Sequence, residues 1–177
     1  LNTRLPKDVR VLSVHKAADD FHARFSSKAK HYDYVYTLEK DNPFIWRYKT
    51  PLKKQPYLQK LRQAASYLVG EHDFTAFSNA QIHPDKPRVK NIYRIDIVQQ
   101  GDEIRFSYYG NGFLRYQVRM MTAAVMNAGL GKYPPEYVKE MLDSRDKELC
   151  RWNAPAQGLY LVKVYYEEDL TGVDFLA

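Results

Sequence analysis

The sequence contains few of the residues that hold a fold together through disulfides or metals. Cys150 is the single cysteine among 177 residues, so no disulfide can form within the chain. A lone cysteine is typical of proteins that work in a reducing compartment such as the cytosol. There are five histidines, none at a metal-ligand spacing from another or from the cysteine: His15, His22, His31, His72 and His83. We therefore expect no metal site.

Long hydrophobic runs and nucleotide-binding fingerprints are also missing. No apolar run approaches the roughly 20 residues that a membrane helix needs, and the first residues do not resemble a signal peptide. The sequence has neither a Gly-x-Gly-x-x-Gly fingerprint nor a P-loop. These absences predict a cytoplasmic protein with no membrane partner and no cofactor. Because the chain begins at Leu1 and not at Met, we expect a processed product or a fragment of a longer protein.

The composition indicates one basic globular domain. Hydrophobic residues make up 45% and charged residues 27% of the chain. Its length allows one full core but not two large ones, so we assign residues 1–177 to a single domain. The net charge is +6, which favours polyanionic partners such as nucleic acids. Fifteen tyrosines add side chains that suit wet interfaces as well as cores.

Residues 21–36 combine basic side chains with alternating tyrosines. The second part of this stretch predicts a β-strand with Tyr32, Tyr34 and Tyr36 on one face. Aromatic rings beside cations suit a single-stranded or flipped nucleotide, because rings stack on bases while Arg and Lys hold phosphates. The alternative is a half-buried strand whose tyrosines belong to the core. Spacing alone leaves both interpretations open.

Strands and helices are predicted in mixed order along the chain. The predicted strands are residues 9–14, 21–26, the Tyr32 strand, 91–99, 103–109 and 159–166. The predicted helices are residues 56–69, 113–127 and a short one after Pro134-Pro135. We expect Gly101-Asp102 to form a hairpin turn and residues 79–90 to form a basic loop. This order favours an α+β domain with helices packed on a largely antiparallel sheet.

A loop is predicted for residues 43–54, after the break at Asn42-Pro43. Its aromatic residues Trp46 and Tyr48 stand among four cations: Arg47, Lys49, Lys53 and Lys54. This makes it a candidate RNA-contact loop. The alternative is a solvated loop anchored by one tryptophan.

Two arginines in the second predicted helix suggest an anion site. Arg115 and Arg119 are four residues apart and would be neighbours on the helix surface, where like charges are unfavourable unless an anion lies beside them. Arg119 also lies in the most apolar part of this helix. A guanidinium near a core needs a carboxylate or phosphate partner. The alternative is a snorkelling arginine with its head in water.

Six segments of the chain stand in a characteristic order. They include Phe-His-Ala-Arg, Tyr-Asp-Tyr, Gly-Glu-His-Asp-Phe-Thr-Ala-Phe and Gly-Phe-Leu…Val-Arg, and together they cover residues 1–9, 21–24, 32–34, 70–77, 112–119 and 154–161. In this order they resemble tRNA pseudouridine synthase A, a family that isomerises uridines in the anticodon arm of tRNA, at positions 38 to 40. The resemblance extends over essentially the whole chain.

The resemblance implies roles for particular residues. By analogy, Tyr32 packs on the target uracil and takes part in proton transfer, and Arg119 pairs with the catalytic aspartate. The implied substrate-binding residues are His22, Arg24, Lys30, Phe113, Gly158 and Leu159. Lys30 stands where the family usually has arginine, so the charge is kept but the bidentate fork is lost. The resemblance also implies tRNA as partner, a homodimer in the full-length protein, and neither metal nor cofactor.

One segment of the family is missing from this sequence. The nucleophilic aspartate of the family lies in an Arg-Thr-Asp-x-Gly segment upstream of the part that matches residues 1–9, and no such segment occurs here. The early acids Asp8, Asp19 and Asp20 stand in other contexts. We therefore interpret the chain as the second half of a pseudouridine synthase fold, inactive alone. A non-catalytic RNA-binding module and a plain structural domain are the alternatives.

Overall fold

A computed structural model describes residues 1–78, 87–167, 170 and 173–176. The predicted α+β arrangement is confirmed, with a mixed, mostly antiparallel sheet and helices packed on it. The strands in this part of the chain are β1 (Ala29–Thr37), β2 (Thr50–Pro51), β3 (Gly70–Asp73), β4 (Val89–Gln100), β5 (Glu103–Gly110) and β6 (Leu159–Tyr165). The helices are α1 (Leu58–Ser66), α2 (Gln117–Gly129) and α3 (Glu136–Ser144).

The sheet is built around β1. Its strands follow the order β2-β1-β5-β4-β3, and β6 pairs with β1 on the same side as the short parallel strand β2. The β4–β5 hairpin turns at Gly101, whose positive φ of 57° fits the predicted turn. Among the described residues, no helix combines the length and the apolar character needed to cross a membrane.

The alternating tyrosines divide between core and cleft. Tyr34 and Tyr36 are buried beneath the helices, as the core interpretation predicted, whereas Tyr32 is half-buried. Residues on the other face of β1, such as Asp33 and Val35, are buried as well. The strand has neighbours along both of its edges, so it lies in the interior of the sheet and not at its margin.

The central helix α2 is apolar almost all round. Twelve of its 13 residues are buried, and Arg119 is the exception. A helix of this kind has no solvent face and belongs in the interior. The one half-buried position of α2 is therefore the position that carries its charge.

Two predicted strands near the start of the chain are wrong. Residues 9–14 run without regular structure, and Leu12 and Val14 are largely exposed. Residues 21–26 form a turn in which the backbone N–H of Ser26 donates to the carbonyl of His22 at 2.8 Å. Apolar and aromatic residues favour a strand only where a neighbouring strand satisfies the backbone, and none of the described strands pairs with these segments.

Other boundaries also differ from the expectation. Helix α2 begins at Gln117 and not at residue 113, because residues 115–116 form a turn. The four residues of β3 were not predicted, and β2 lies inside the predicted loop 43–54. Of the predicted basic loop 79–90, residues 79–86 lie outside the described part, and β4 begins at Val89.

Candidate functional site

A cleft of about 420 Å³ opens where β1, β6 and the beginning of α2 meet. Its lining is aromatic, apolar and basic, with no acidic side chain among the described residues: Tyr32, Phe113, Leu114, Arg115, Tyr116, Gln117, Val118, Arg119, Ala156 and Leu159. The cleft thus brings together four of the residues implied by the resemblance, which are Tyr32, Phe113, Arg119 and Leu159. It also contains Arg115, the second arginine of the predicted anion site.

Tyr32 forms one wall of the cleft with its ring held in place. The ring of Phe113 meets it edge-on, with the centroids 5.2 Å apart and the planes at 82°, which is a favourable aromatic geometry. Burial raises the pKa of Tyr32 above its ordinary value of 10, because the charged phenolate is poorly solvated. At neutral pH the side chain is therefore a neutral, flat surface.

The backbone of Ala154 holds Arg119 in two ways. Nε of Arg119 donates a 2.6 Å hydrogen bond to the Ala154 carbonyl, and the Ala154 N–H donates to the Arg119 carbonyl at 3.1 Å. No acidic side chain in the described ranges forms an ion pair with Arg119. The bond to Nε leaves the two terminal nitrogens of the guanidinium for an anion in the cleft. The guanidinium is thus hydrogen-bonded to a backbone carbonyl through Nε. The sequence interpretations had expected either an anionic partner or a solvated head group.

Residues 154–158 are clamped against β1 as well as α2. The Tyr34 hydroxyl donates to the Pro155 carbonyl at 2.6 Å and lies 2.7 Å from Oγ1 of Thr50. Burial raises the pKa of Tyr34 to about 12, so the hydroxyl keeps its proton for this bond. Gly158 packs directly on the Tyr34 ring, where a Cβ atom would lie 2.8 Å from two ring carbons. This contact places Gly158 behind the cleft and not in its lining.

A tight turn leads into α2 and lies in the cleft wall. The N–H of Gln117 donates to the carbonyl of Leu114 at 3.1 Å, and Tyr116 has a left-handed backbone with φ 67°. The prediction that Arg115 and Arg119 are neighbours on one helix surface is wrong, because α2 begins after Arg115. Both guanidiniums instead approach the ring of Tyr116, with Cζ at 5.2 and 5.3 Å from its centroid. Sequence periodicity missed Tyr116, since a helix was expected through this turn.

Besides Gly158, three residues implied by the resemblance do not line the cleft. His22 and Arg24 belong to the exposed turn, where Nδ1 of His22 accepts the Arg24 N–H at 3.1 Å and the Arg24 guanidinium lies 5.6 Å from the Phe25 ring centroid. The Tyr166 hydroxyl attaches this turn to the end of β6 by donating to the carbonyl of residue 23. Lys30 is half-buried on β1, two residues before Tyr32.

A second concavity of about 360 Å³ lies on the opposite face of the sheet. There Asp33 accepts hydrogen bonds from Nη1 of Arg105 at 2.7 Å and from the hydroxyl of Ser107 at 2.6 Å, and Nε2 of His31 lies 2.8 Å away. Burial alone would raise the pKa of Asp33, but these three partners offset it and lower the pKa overall. The cations here are already paired, since Arg105 also contacts Glu103.

The predicted RNA-contact loop is attached to the rest of the protein by polar contacts. Nε1 of Trp46 donates to the Lys40 carbonyl at 3.1 Å, and Lys49 pairs with Glu103 at 2.7 Å. Trp46 as a residue remains 48% exposed. An RNA contact by this loop stays a prediction.

Comparison with known proteins identifies related sequences. The family model described as tRNA pseudouridine synthase matches residues 64–167. A protein from an Exiguobacterium species is 39% identical over 168 residues, which are 95% of this chain and 68% of that protein. A Bacillus subtilis protein is also 39% identical, over 94% of this chain and 68% of its own length, and one from Oceanobacillus iheyensis is 38% identical, over 96% and 67%. All three are named tRNA pseudouridine synthase A.

Proposed function

The chain belongs to the tRNA pseudouridine synthase family, and on this premise we propose that it forms the substrate-binding half of an enzyme that converts uridine to pseudouridine in the anticodon arm of tRNA. The observation that carries the proposal is the shared cleft of about 420 Å³, which is lined by both the phenol ring of Tyr32 and the guanidinium of Arg119. Nε of that guanidinium is hydrogen-bonded to the Ala154 carbonyl. A cleft of this size is in the range of small-molecule sites and accommodates one nucleotide.

The isomerisation breaks an N-glycosidic bond and forms a C–C bond at the same sugar carbon. A carboxylate near the ribose acts as nucleophile or base in such a step. The uracil must detach, rotate and stay trapped, and the target nucleotide must first leave its stack at a cost of a few kcal/mol. In our proposal, the Tyr32 ring stacks on the uracil, and the apolar side chains of Phe113 and Leu159 exclude water around it.

Proton transfer by Tyr32 requires a change on substrate binding. A general base works best with a pKa near the working pH, but burial moves the pKa of Tyr32 in the opposite direction. With the pKa that Tyr32 has in the free protein, we therefore assign it only the role of a stacking surface for the uracil. Abstraction of the uracil C5 proton would need the phenolate form of Tyr32, which becomes the phenol as it takes the proton. A nearby positive charge in the bound state would have to lower the pKa of Tyr32 for the phenolate to form.

Arg119 is the proposed partner of the missing carboxylate. Its terminal nitrogens form a fork that matches a carboxylate in two parallel hydrogen bonds. No acid among the described residues lines the cleft, and the resemblance places the nucleophile in an upstream segment, so in our proposal that segment supplies the carboxylate. We propose that residues 1–177 alone are inactive, and that the complete enzyme is a cytoplasmic homodimer.

The test combines this chain with a polypeptide that carries the Arg-Thr-Asp-x-Gly segment. Pseudouridine in unmodified tRNA is then measured by mass spectrometry, with each polypeptide alone as a control. We expect product only from the mixture. Tyr32→Leu and Arg119→Gln should remove most of it, whereas Tyr57→Leu, at an exposed residue that does not line the cleft, should keep it. A folded mixture that binds tRNA and forms no pseudouridine would refute the catalytic proposal.

The same experiment addresses the RNA-binding alternative. A non-catalytic module would bind tRNA with an affinity that falls steeply with salt and would gain no activity from the added aspartate. Sedimentation of the full-length protein tests the homodimer.

A further inference from the structure

Tyr116 occupies a backbone conformation that is unfavourable for a tyrosine. The turn from Leu114 to Gln117 is closed by a 3.1 Å backbone hydrogen bond, and Tyr116 is its third residue, with φ 67° and ψ −2°. Turns with a left-handed third residue usually have glycine or asparagine there. A Cβ atom at this φ is crowded by the backbone, and such strain persists where the surroundings require it.

The ring of Tyr116 contacts the cations of the cleft. The guanidinium carbons of Arg119 and Arg115 lie 5.3 and 5.2 Å from its centroid, within the range where an aromatic face attracts a cation. Arg119 is thereby held at a second point, in addition to the 2.6 Å bond from its Nε to the Ala154 carbonyl. Two contacts determine the direction of a guanidinium that one contact would leave free to rotate.

We propose that Tyr116 is a positioning residue, whose ring fixes the guanidinium of Arg119 so that the terminal nitrogens present their fork to the cleft. The strained turn is the means by which the ring reaches Arg119 from the residue that precedes α2. The identity of the anion, a carboxylate, rests on the proposed function. The positioning itself does not, since both contacts exist in the free chain.

The test uses the 177-residue chain labelled with ¹⁵N-arginine. The Nε–Hε signal of Arg119 is assigned by its loss in Arg119→Lys, and its solvent exchange rate is measured. In Tyr116→Gly, which relieves the backbone and removes the ring, we expect exchange to rise by roughly threefold to tenfold, as loss of a cation–aromatic contact implies. The melting temperature should stay the same or rise. Tyr116→Phe should exchange like the wild type.

Tyr57 provides a matched control. It also precedes a helix and has a cation, Nζ of Lys60, 5.2 Å from its ring centroid, but its φ is −79° and it does not line the cleft. Tyr57→Gly should leave the Arg119 exchange rate unchanged. Unchanged exchange in a folded Tyr116→Gly variant would overturn the proposal, and so would a large loss of stability, which would make Tyr116 a purely structural residue.

Activity measurements separate this inference from the proposed function. In the complemented mixture, Tyr116→Gly should lower kcat while KM for tRNA changes little. Tyr116→Phe, which keeps the ring, should have the kcat of the wild type. If the wild-type mixture is inactive but the exchange rates behave as expected, the enzyme proposal fails and the positioning role stands. If the wild-type mixture is active and Tyr116→Gly keeps the full kcat, the positioning role fails and the enzyme proposal stands.

Discussion

Replacement of Gly158 by alanine tests whether the segment behind the cleft is as tightly packed as the structure indicates. An alanine Cβ would lie 2.8 Å from Cε1 and Cζ of Tyr34 and 2.8 Å from the carbonyl oxygen of Val35. Tyr34 is completely buried, so its ring has no free space to enter. The carbonyl belongs to the middle of β1 and cannot shift without disturbing the sheet.

The expected loss of stability has two parts. Inserting a methyl group into a packed core costs about 1–3 kcal/mol. Displacing residues 155–158 also stretches the 2.6 Å bond from the Tyr34 hydroxyl to the Pro155 carbonyl, which adds about 1 kcal/mol. We therefore expect Gly158→Ala to lower the free energy of unfolding by about 2–4 kcal/mol, measured by urea titration, and the melting temperature by roughly 5–15 °C.

Gly112→Ala is the matched control. Among the described residues, its Cβ would meet only Cδ of Lys90, at 4.0 Å, so we expect a change within about 1 kcal/mol. In the Tyr34→Phe background the hydroxyl bond is already absent, and Gly158→Ala should cost about 1 kcal/mol less than in the wild type. A Gly158→Ala protein as stable as the Gly112→Ala control would show that this segment is loosely held and would refute the packing argument.

Three further predictions follow from other parts of the structure. Arg119→Lys should lower kcat of the complemented enzyme about 100-fold or more, because lysine keeps the charge but not the fork; equal kcat would contradict the carboxylate role. The pKa of Asp33 is lowered in the folded chain, so its ion pair with Arg105 stabilises the fold above about pH 4, and this contribution disappears as the pH falls through the folded-state pKa. In urea titrations, the free energy of unfolding should therefore fall less between pH 7 and pH 3 in Asp33→Asn than in the wild type. Burial raises the pKa of the Cys150 thiol to about 12, so a thiol reagent at pH 8 should label it only in denaturant, and rapid labelling of the native chain would argue against this burial.

The elements that could be predicted are those encoded by local patterns. The strand around Tyr34, the Gly101 turn between β4 and β5, and the apolar stripe of α1 depend on residues close together in sequence, and all three are present. Residues 9–14 show the limit of this reasoning. Their apolar side chains favour a strand, but a strand needs a partner, and a partner is a property of the whole fold.

The site was only partly predictable for the same reason. The resemblance pointed to Tyr32, Phe113, Arg119 and Leu159, and the structure places them in one cleft. It did not point to Tyr116, since a tyrosine in a left-handed turn has no sequence signal and helical periodicity continued through the position. Nor does a pattern reveal that His22 and Arg24 lie in an exposed turn outside the cleft lining.

By itself, the sequence determined the family, the basic character, the α+β class and the residue types available for chemistry, because these depend on composition, spacing and motif order. Only the tertiary structure decided where those residues meet. The Tyr34 hydroxyl bonds a carbonyl 121 residues away, and Arg119 bonds one 35 residues away. Such contacts form when packing of the core overcomes the entropy of closing long loops, and that balance is a property of the folded chain as a whole.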